Sequence, residues 1–542
     1  MFRLSSLVSF VTIALLAAQV EAKDKSFNNV TGTSSVTFPT DIGFAGKVGD
    51  GKLPFLAEMD LLNTTRSNHA RSVEMRWLPY NHEKDHTNSD DIWLNQGAST
   101  PYHEAYALFP DMVKYSARPS QCQIKQVHVL HRHGAKYPDD ITDSGPGAFW
   151  KKVQGALKNN TIKLSDDVKF LKDWDYLLGR RILTQMGAEQ TFRSGVSHYY
   201  MYAKLLEDLK SHKPVIRTSS HSRVLDSAKY FMLGFFGWDA FDKAHLEVLT
   251  EEDGQNNSLA SKKACTNADD DDFSFAGPLT KKWRSVYLKA PKARLEKKIR
   301  GINLTTEDVY NMMSACSAET FGSGYSDFCK LFTKEEWENF SYDSDLDAMG
   351  KHGFMNPTGR AQGVPWVQEL VDRLLKHKPG APVTAQNMTL NKNSTYFPLD
   401  QKLYVDFSHH STMTGILTAL NLTQFKESLD PKKPNPHRKF RTSLVTPHAM
   451  RLNFEVMECD FDDGKDTYIR LKLNDVTYPL DESNGCEKRA DGLCKLDDFT
   501  THLDKNAYKA SKWDLMCFGK IGKDFNLTGP VTDGVIPEED IF

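Results

Sequence analysis

The chain has 542 residues, 39% of them hydrophobic and 26% charged, with a formal net charge of −3. That length is enough for one large core or two, the size of a globular enzyme. The near-balanced charge leaves no basic footprint, which excludes a nucleic-acid partner.

In chain order, the first signal is an export signal. Arg3 precedes an apolar run from Leu7 to Val20, and Val20-Glu21-Ala22 ends on a small residue. This is the layout of a signal peptide over residues 1–22, cleaved after Ala22. The run is short for a membrane span of ~20 apolar residues. No other apolar run reaches that length, and Pro537–Phe542 lacks the tail of a C-terminal lipid anchor. The mature protein is therefore expected outside the cell, secreted or held in a cell wall, with no membrane span.

Ten Asn-X-Ser/Thr sequons fit that location: Asn29, Asn63, Asn159, Asn256, Asn303, Asn339, Asn387, Asn393, Asn421 and Asn526. So do eight cysteines, Cys122, Cys265, Cys316, Cys329, Cys459, Cys486, Cys494 and Cys517. An even count in an exported chain reads as disulfides. No Cys-X-X-Cys pair suggests zinc, and spacing alone does not choose among the possible pairings.

Residues 23–118 are polar and weakly periodic, an N-terminal extension expected to wrap a core. Lys125–Leu130 then reads as a strand leading into Arg132-His133-Gly134-Ala135-Lys136-Tyr137-Pro138. Pro214–Ile216 is a second strand with Arg217 at its end, followed by Thr218 to Ser222. Val224, Ala228, Phe231 and Phe235 fall on one face of the next helix, which places Arg223 near its first turn. The acidic run Asp269–Asp272 lacks the spacing of a calcium loop and reads as solvated. Val364, Val367, Leu370, Val371 and Leu374 mark another amphipathic helix. Leu403–Phe407 is a third strand, running into His409 and His410, and Thr412–Leu420 is helical.

Strands alternating with helices predict an α/β fold with a central, mostly parallel sheet. In such sheets ligands bind beyond the carboxyl ends of strands. Three candidate strands end in polar clusters: Arg132-His133, Arg217 to Ser220, and His409-His410. If those strands are neighbours, the clusters share one pocket, and helix N-termini beside it would favour an oxyanion.

These residues resemble the histidine acid phosphatases, branch 2 of the histidine phosphatase superfamily, and most of all their fungal phytase-like members. The likeness runs from about residue 95 to 520 and is carried by ordered motifs. They include Gln126–Gly134, Leu183-Thr184 with Gly187, Arg217–Val224, Gly359–Gly363, Arg451–Cys459, Asn474–Leu480, Cys494–Phe499 and Cys517-Phe518. The resemblance implies a phosphoglycerate-mutase-like sheet domain over 119–542, with a smaller, mainly helical insert at about 140–185 and 238–395. It implies acid phosphatase chemistry on a small phosphate monoester, with no cofactor. His133 would be the nucleophile and would form a phosphohistidine, Arg132, Arg217 and His409 would bind phosphate, and Gly134 would let the backbone approach it. It also implies four disulfides: Cys122–Cys459, Cys265–Cys517, Cys316–Cys329 and Cys486–Cys494.

Two positions depart from the family pattern. Lys136 replaces the second motif arginine; it keeps the charge at the phosphate site but loses the planar fork. His410 stands where the family has its proton-donating aspartate, and only an imidazolium there could protonate a leaving oxygen efficiently. Asp406 and Glu455 are the fallback donors. Two readings follow: a phytase-like hydrolase, or an impaired relative that binds phosphorylated ligands. A third, a metal enzyme built on His128, His131, His133, His409 and His410, is disfavoured because Arg132 inside the cluster would repel a cation.

Overall fold

Four parallel strands form the core of the sheet: β1 (Cys122–Arg132), β2 (Val215–Ser219), β3 (His245–Leu249) and β4 (Leu403–Ser408). Their spatial order is β1-β4-β2-β3, so the last strand to form in sequence slots between the first two. The structure, a computed structural model, describes residues 92–139, 143–206, 213–462, 464–527 and 529–542. The signal segment, Asn29, Asn63 and most of the extension lie outside those residues.

The other half of the sheet is antiparallel. β5 (Arg451–Phe461) pairs with β1 and β6 (Gly464–Leu473), and β7 (Val476–Thr477) and β8 (Cys494–Lys495) both pair with β6. The sheet is thus mixed, with parallel core strands as expected from the sequence.

Pleating decides what each core strand shows to each side. Val127, Val129, Ile216, Leu403, Val405 and Phe407 pack on one face against Val224, Ala228, Phe231 and Phe235. Those four belong to α3 (Ser222–Phe236), which follows α1 (Gly145–Lys158) and α2 (Gln185–Tyr202). All four are the residues the helical spacing had placed on one face. Each buried large side chain contributes roughly 1.5–3 kcal/mol.

Between β3 and β4 the chain is largely helical: α4 (Ala276–Tyr287), α5 (Lys289–Lys298), α6 (Thr306–Ser323), α7 (Lys334–His352) and α8 (Gly359–Leu375). Two elements inside the 238–395 stretch nonetheless belong with the sheet. β3 is its edge strand, and α8 covers its second face, where Trp366, Glu369 and Arg373 meet β4 and β2. After β4 come α9 (His410–Ala419) and, near the C-terminus, α10 (Leu496–Ser511).

All eight cysteines pair as the resemblance implied. Cys122–Cys459 ties the start of β1 to β5. Of the predicted sequons, Asn159, Asn256, Asn303 and Asn393 stand exposed. Asn421 is turned inward instead. Its amide nitrogen donates to the Ser483 carbonyl at 2.9 Å and its oxygen accepts from Arg360 at 2.8 Å. A glycan on that nitrogen would break this arrangement. Among the described residues, no helix is long and apolar enough to cross a membrane.

Candidate active site

The carboxyl ends of β1, β4 and β2 are adjacent: Arg132 lies opposite Ser408, and Thr218 opposite Phe407. The polar clusters beyond β1 and β4 therefore meet over one sheet edge, joined by the first turn of α3. The loop after β1 is held from several sides. The His133 amide donates to Ser408 (3.2 Å), the Gly134 amide to Ser227 Oγ (3.0 Å) and the Ala135 amide to Gln190 Oε1 (2.9 Å). Gly134 is glycine because α2 passes close by: a Cβ there would sit 2.2 Å from the Gly187 carbonyl oxygen. Its smallness serves helix packing against the loop.

His133 is buried, with Nδ1 2.8 Å from the Gly134 carbonyl oxygen. A carbonyl only accepts, so in the neutral ring the proton sits on Nδ1 and Nε2 carries the lone pair. Burial, followed by Arg132, Arg223, His409 and His448, holds its pKa well below the usual histidine value. The ring is thus neutral in mild acid, the form a nucleophile requires. It lies 5.7 Å from the His409 ring and 6.0 Å from that of His448, centroid to centroid.

Arg132 is fixed by the carbonyls of Ala98 (2.6 Å) and Thr446 (2.5 Å), both bound by Nη1. The end of the N-terminal extension thus helps orient a site residue. Lys136 Nζ pairs with Asp139 at 2.8 Å. Burial and the cations Arg223 and Arg132 depress its pKa against the pull of Asp139.

Arg217 is not part of this pocket. β2 runs on to Ser219, so Arg217 sits mid-strand and its side chain points toward α8. There it donates to both oxygens of Asp406 (2.8 Å each) and to Glu369 (2.7 Å). Arg373 also binds Asp406, and Glu247 lies close enough to feel the cluster. The pocket arginine is Arg223, in the first turn of α3, whose Nη2 is 3.3 Å from His409 Nδ1 and 3.5 Å from His221 Nδ1. The helical spacing had placed Arg223 near that turn.

His409 is the N-cap residue of α9. Its Nε2 lies 2.7 Å from Glu251 Oε2, and Glu251 Oε1 lies 3.0 Å from His221 Nδ1. His410, the first residue of α9, is half-buried, and its ring is 6.1 Å from that of His352. Burial and then Arg132, His352, His409 and Lys136 hold its pKa well below normal. His448, unnoticed in the sequence, completes the wall. It is buried, lies beside Phe321, and is kept neutral by burial, Arg132 and Lys136.

The fallback donors lie elsewhere. Asp406 is bound by Arg217, Arg373 and Trp366, and Glu455 by Arg470 (2.7 Å) and Tyr202 (2.6 Å). Nor do the histidines of β1 form a metal cluster with His133. His128 stacks on Tyr404 at 4.5 Å, and His131 is bonded to Ser194 at 2.8 Å. His221, Glu251 and His409 do bring ligand atoms within 4.8 Å of one another. However, the Arg223 guanidinium touches both rings, so a cation there would meet a fixed positive charge.

The family model for the histidine phosphatase superfamily (branch 2) matches residues 123–474. Phytase A of Aspergillus fumigatus is 32% identical over 417 residues, covering 74% of this chain and 86% of that protein. Phytase A of Aspergillus oryzae is 34% identical over 408 residues, covering 71% and 83%. Among solved structures, the crystal structure of the phytase from D. castellii shares the fold, with a TM-score of 0.64 and 21% identity over 86% of this chain and 93% of that one.

Proposed function

The chain belongs to branch 2 of the histidine phosphatase superfamily, and from that premise we propose that it hydrolyses phosphate monoesters, phytate among them, through a phosphohistidine on His133. One observation carries the reading: a neutral imidazole with its proton fixed on Nδ1 stands among Arg132, Arg223, Lys136 and His409 at the ends of β1 and β4. The phosphoryl group is cradled by Arg132 and Arg223, whose planar guanidinium suits two parallel hydrogen bonds to its oxygens. Lys136 adds charge without that fork. Nε2 of His133 attacks phosphorus, the alcohol leaves, and water then cleaves the P–N bond.

Export is part of the proposal. Four disulfides support an oxidising compartment, and the exported chain is expected to begin at Lys23. The test is to quench turnover of a radiolabelled aryl phosphate. An acid-labile, base-stable phosphoenzyme is expected in the wild-type protein and absent in His133→Ala. Turnover that survives His133→Ala would refute it.

A second reading, capture of phosphorylated ligands without turnover, is favoured by the neutral His410 at the donor position. It predicts phosphate binding without product, and recovery of turnover in His410→Asp.

A further inference from the structure

Four imidazoles line the pocket beside His221, and three of them sit among groups that all disfavour a charged ring. His133 faces Arg132, Arg223, His409 and His448; His410 faces Arg132, His352, His409 and Lys136; His448 faces Arg132 and Lys136. Of these four, His409 alone touches a carboxylate, one it shares with the neighbouring His221. Glu251 Oε2 lies 2.7 Å from its Nε2, and the Glu251 side chain is 3% exposed. Although burial opposes the charge, His409 and His221 keep Glu251 well below the usual carboxyl range, so it is ionised. A carboxylate accepts only, which puts a proton on Nε2 and turns the Nδ1 lone pair toward Arg223.

We propose that His409, with Glu251 as its fixed counter-charge, is the general acid of this pocket, in place of the aspartate that His410 lacks. The inference rests on the phosphatase reading above. The groups facing His409 are Ser219, His221 and Arg223 from β2 and α3, Glu251 from the loop after β3, and His133 across the pocket. Burial and the cations hold the resting ring down to about 4, against the pull of Glu251. A bound phosphate dianion changes that balance: it attracts the Arg223 guanidinium away from Nδ1 and stabilises a positive ring. A solvent proton then settles on His409, where Glu251 already compensates it.

The chemical step balances. The His133 Nε2 lone pair forms the P–N bond while the P–O bond breaks. Its electron pair passes to the leaving oxygen, which takes the Nδ1 proton of His409. His409 is left neutral, with Nε2–H still on Glu251. In the second half, water gives a proton to Nδ1 as its oxygen attacks phosphorus, and the P–N pair returns to His133.

Two measurements test this on the full mature protein, with Glu251→Gln, Glu251→Asp and His410→Asn. The first compares turnover of glycerol 2-phosphate, whose alkoxide needs a proton, with that of an aryl phosphate, whose phenolate does not. Glu251→Gln should lower the alkyl rate about 100-fold and the aryl rate less than tenfold, in line with the usual worth of a general acid. Glu251→Asp should recover most of the ratio, and His410→Asn should leave it within about threefold. The second is calorimetry of inorganic phosphate binding in two buffers at about pH 8, where phosphate groups are dianionic. Net proton uptake on phosphate binding is expected in the wild type, falling to less than half of that value in Glu251→Gln.

Equal loss of both rates in Glu251→Gln, unchanged proton uptake in that variant, or a ratio that collapses in His410→Asn would overturn the assignment. Wild-type protein that turns over neither substrate would overturn the phosphatase reading, and this inference with it.

Discussion

Arg217 and Arg223 lie six residues apart in sequence, yet one serves a buried ion-pair cluster and the other the pocket, and substitution separates them. Arg217→Met keeps the length of the side chain and removes three charged hydrogen bonds, two to Asp406 at 2.8 Å and one to Glu369 at 2.7 Å. Breaking a buried ion pair on one side costs about 3–5 kcal/mol. Arg373 still binds Asp406 at 2.7 Å, so the lower end, about 3 kcal/mol, is expected. That is a large part of the ~5–15 kcal/mol that holds a domain together. Arg223→Met is different. The side chain is half-buried at the start of α3 and faces the imidazoles. Its loss should change stability by about 1 kcal/mol. A charged hydrogen bond to phosphate is worth about 1.5–3 kcal/mol, so phosphate affinity and kcat/KM should fall roughly 10- to 150-fold. Urea unfolding followed by tryptophan fluorescence reads the first quantity, and calorimetry with inorganic phosphate reads the second without requiring turnover. An Arg217→Met protein of wild-type stability that no longer binds phosphate, or an Arg223→Met protein that binds it normally, would refute the placement of both side chains.

Three further outcomes are expected. Burial, with Glu369 and Asp406, raises the Glu247 carboxyl from 4.5 to about 8, against Arg217 and Arg373. The folded state then keeps a proton that the unfolded chain releases, so Glu247's contribution to stability is full below the unfolded value and is lost as pH rises through the window between them. The slope is at most about 1.4 kcal/mol per pH unit, and Glu247→Gln should flatten it in urea titrations across that range. Gly134→Ala places a Cβ 2.2 Å from the Gly187 carbonyl oxygen, so the backbone of the His133 loop must move. At least a tenfold loss of kcat/KM on an aryl phosphate is expected, since misplacement by about 1 Å is enough for such a loss. Cys122→Ser with Cys459→Ser opens a link between residues 337 apart. Chain entropy puts the cost at roughly 6 kcal/mol, read as a lowered urea midpoint in the absence of reductant.

The sequence revealed the frame of the site because hydrophobic runs mark parallel strands buried on both faces. Val127–Leu130 and Leu403–Phe407 are such runs, and the imidazoles directly after them had to share an edge once the strands paired. The antiparallel strand β5 was quoted only as a family likeness, and β6 was not recognised at all. Asn453, Glu455 and Arg470 look like solvent-facing positions, but each is buried by pairing with another polar group. Arg217 was misread for a related reason. The strand was expected to stop at Ile216, and three more strand residues, Arg217 to Ser219, move the arginine from the rim of the sheet to its covered face.

Glu251 shows where one-dimensional reading ends. In Thr250-Glu251-Glu252-Asp253 it looks like part of a solvated acidic run, yet it is buried and grips two imidazoles while Glu252 and Asp253 stand exposed. Nothing local distinguishes the three. What singles out Glu251 is the end of β3, which delivers its side chain beneath α3 and α9. The same applies to the histidines: His409 and His410 are adjacent in sequence, but α9 begins between them. One ring meets a carboxylate, and every group facing the other disfavours its charge. If proton transfer follows the partner rather than the position, the replacement of an aspartate at 410 need not silence the pocket. The alkyl-to-aryl rate ratio of Glu251→Gln, set against that of His410→Asn, is the quantity that decides it.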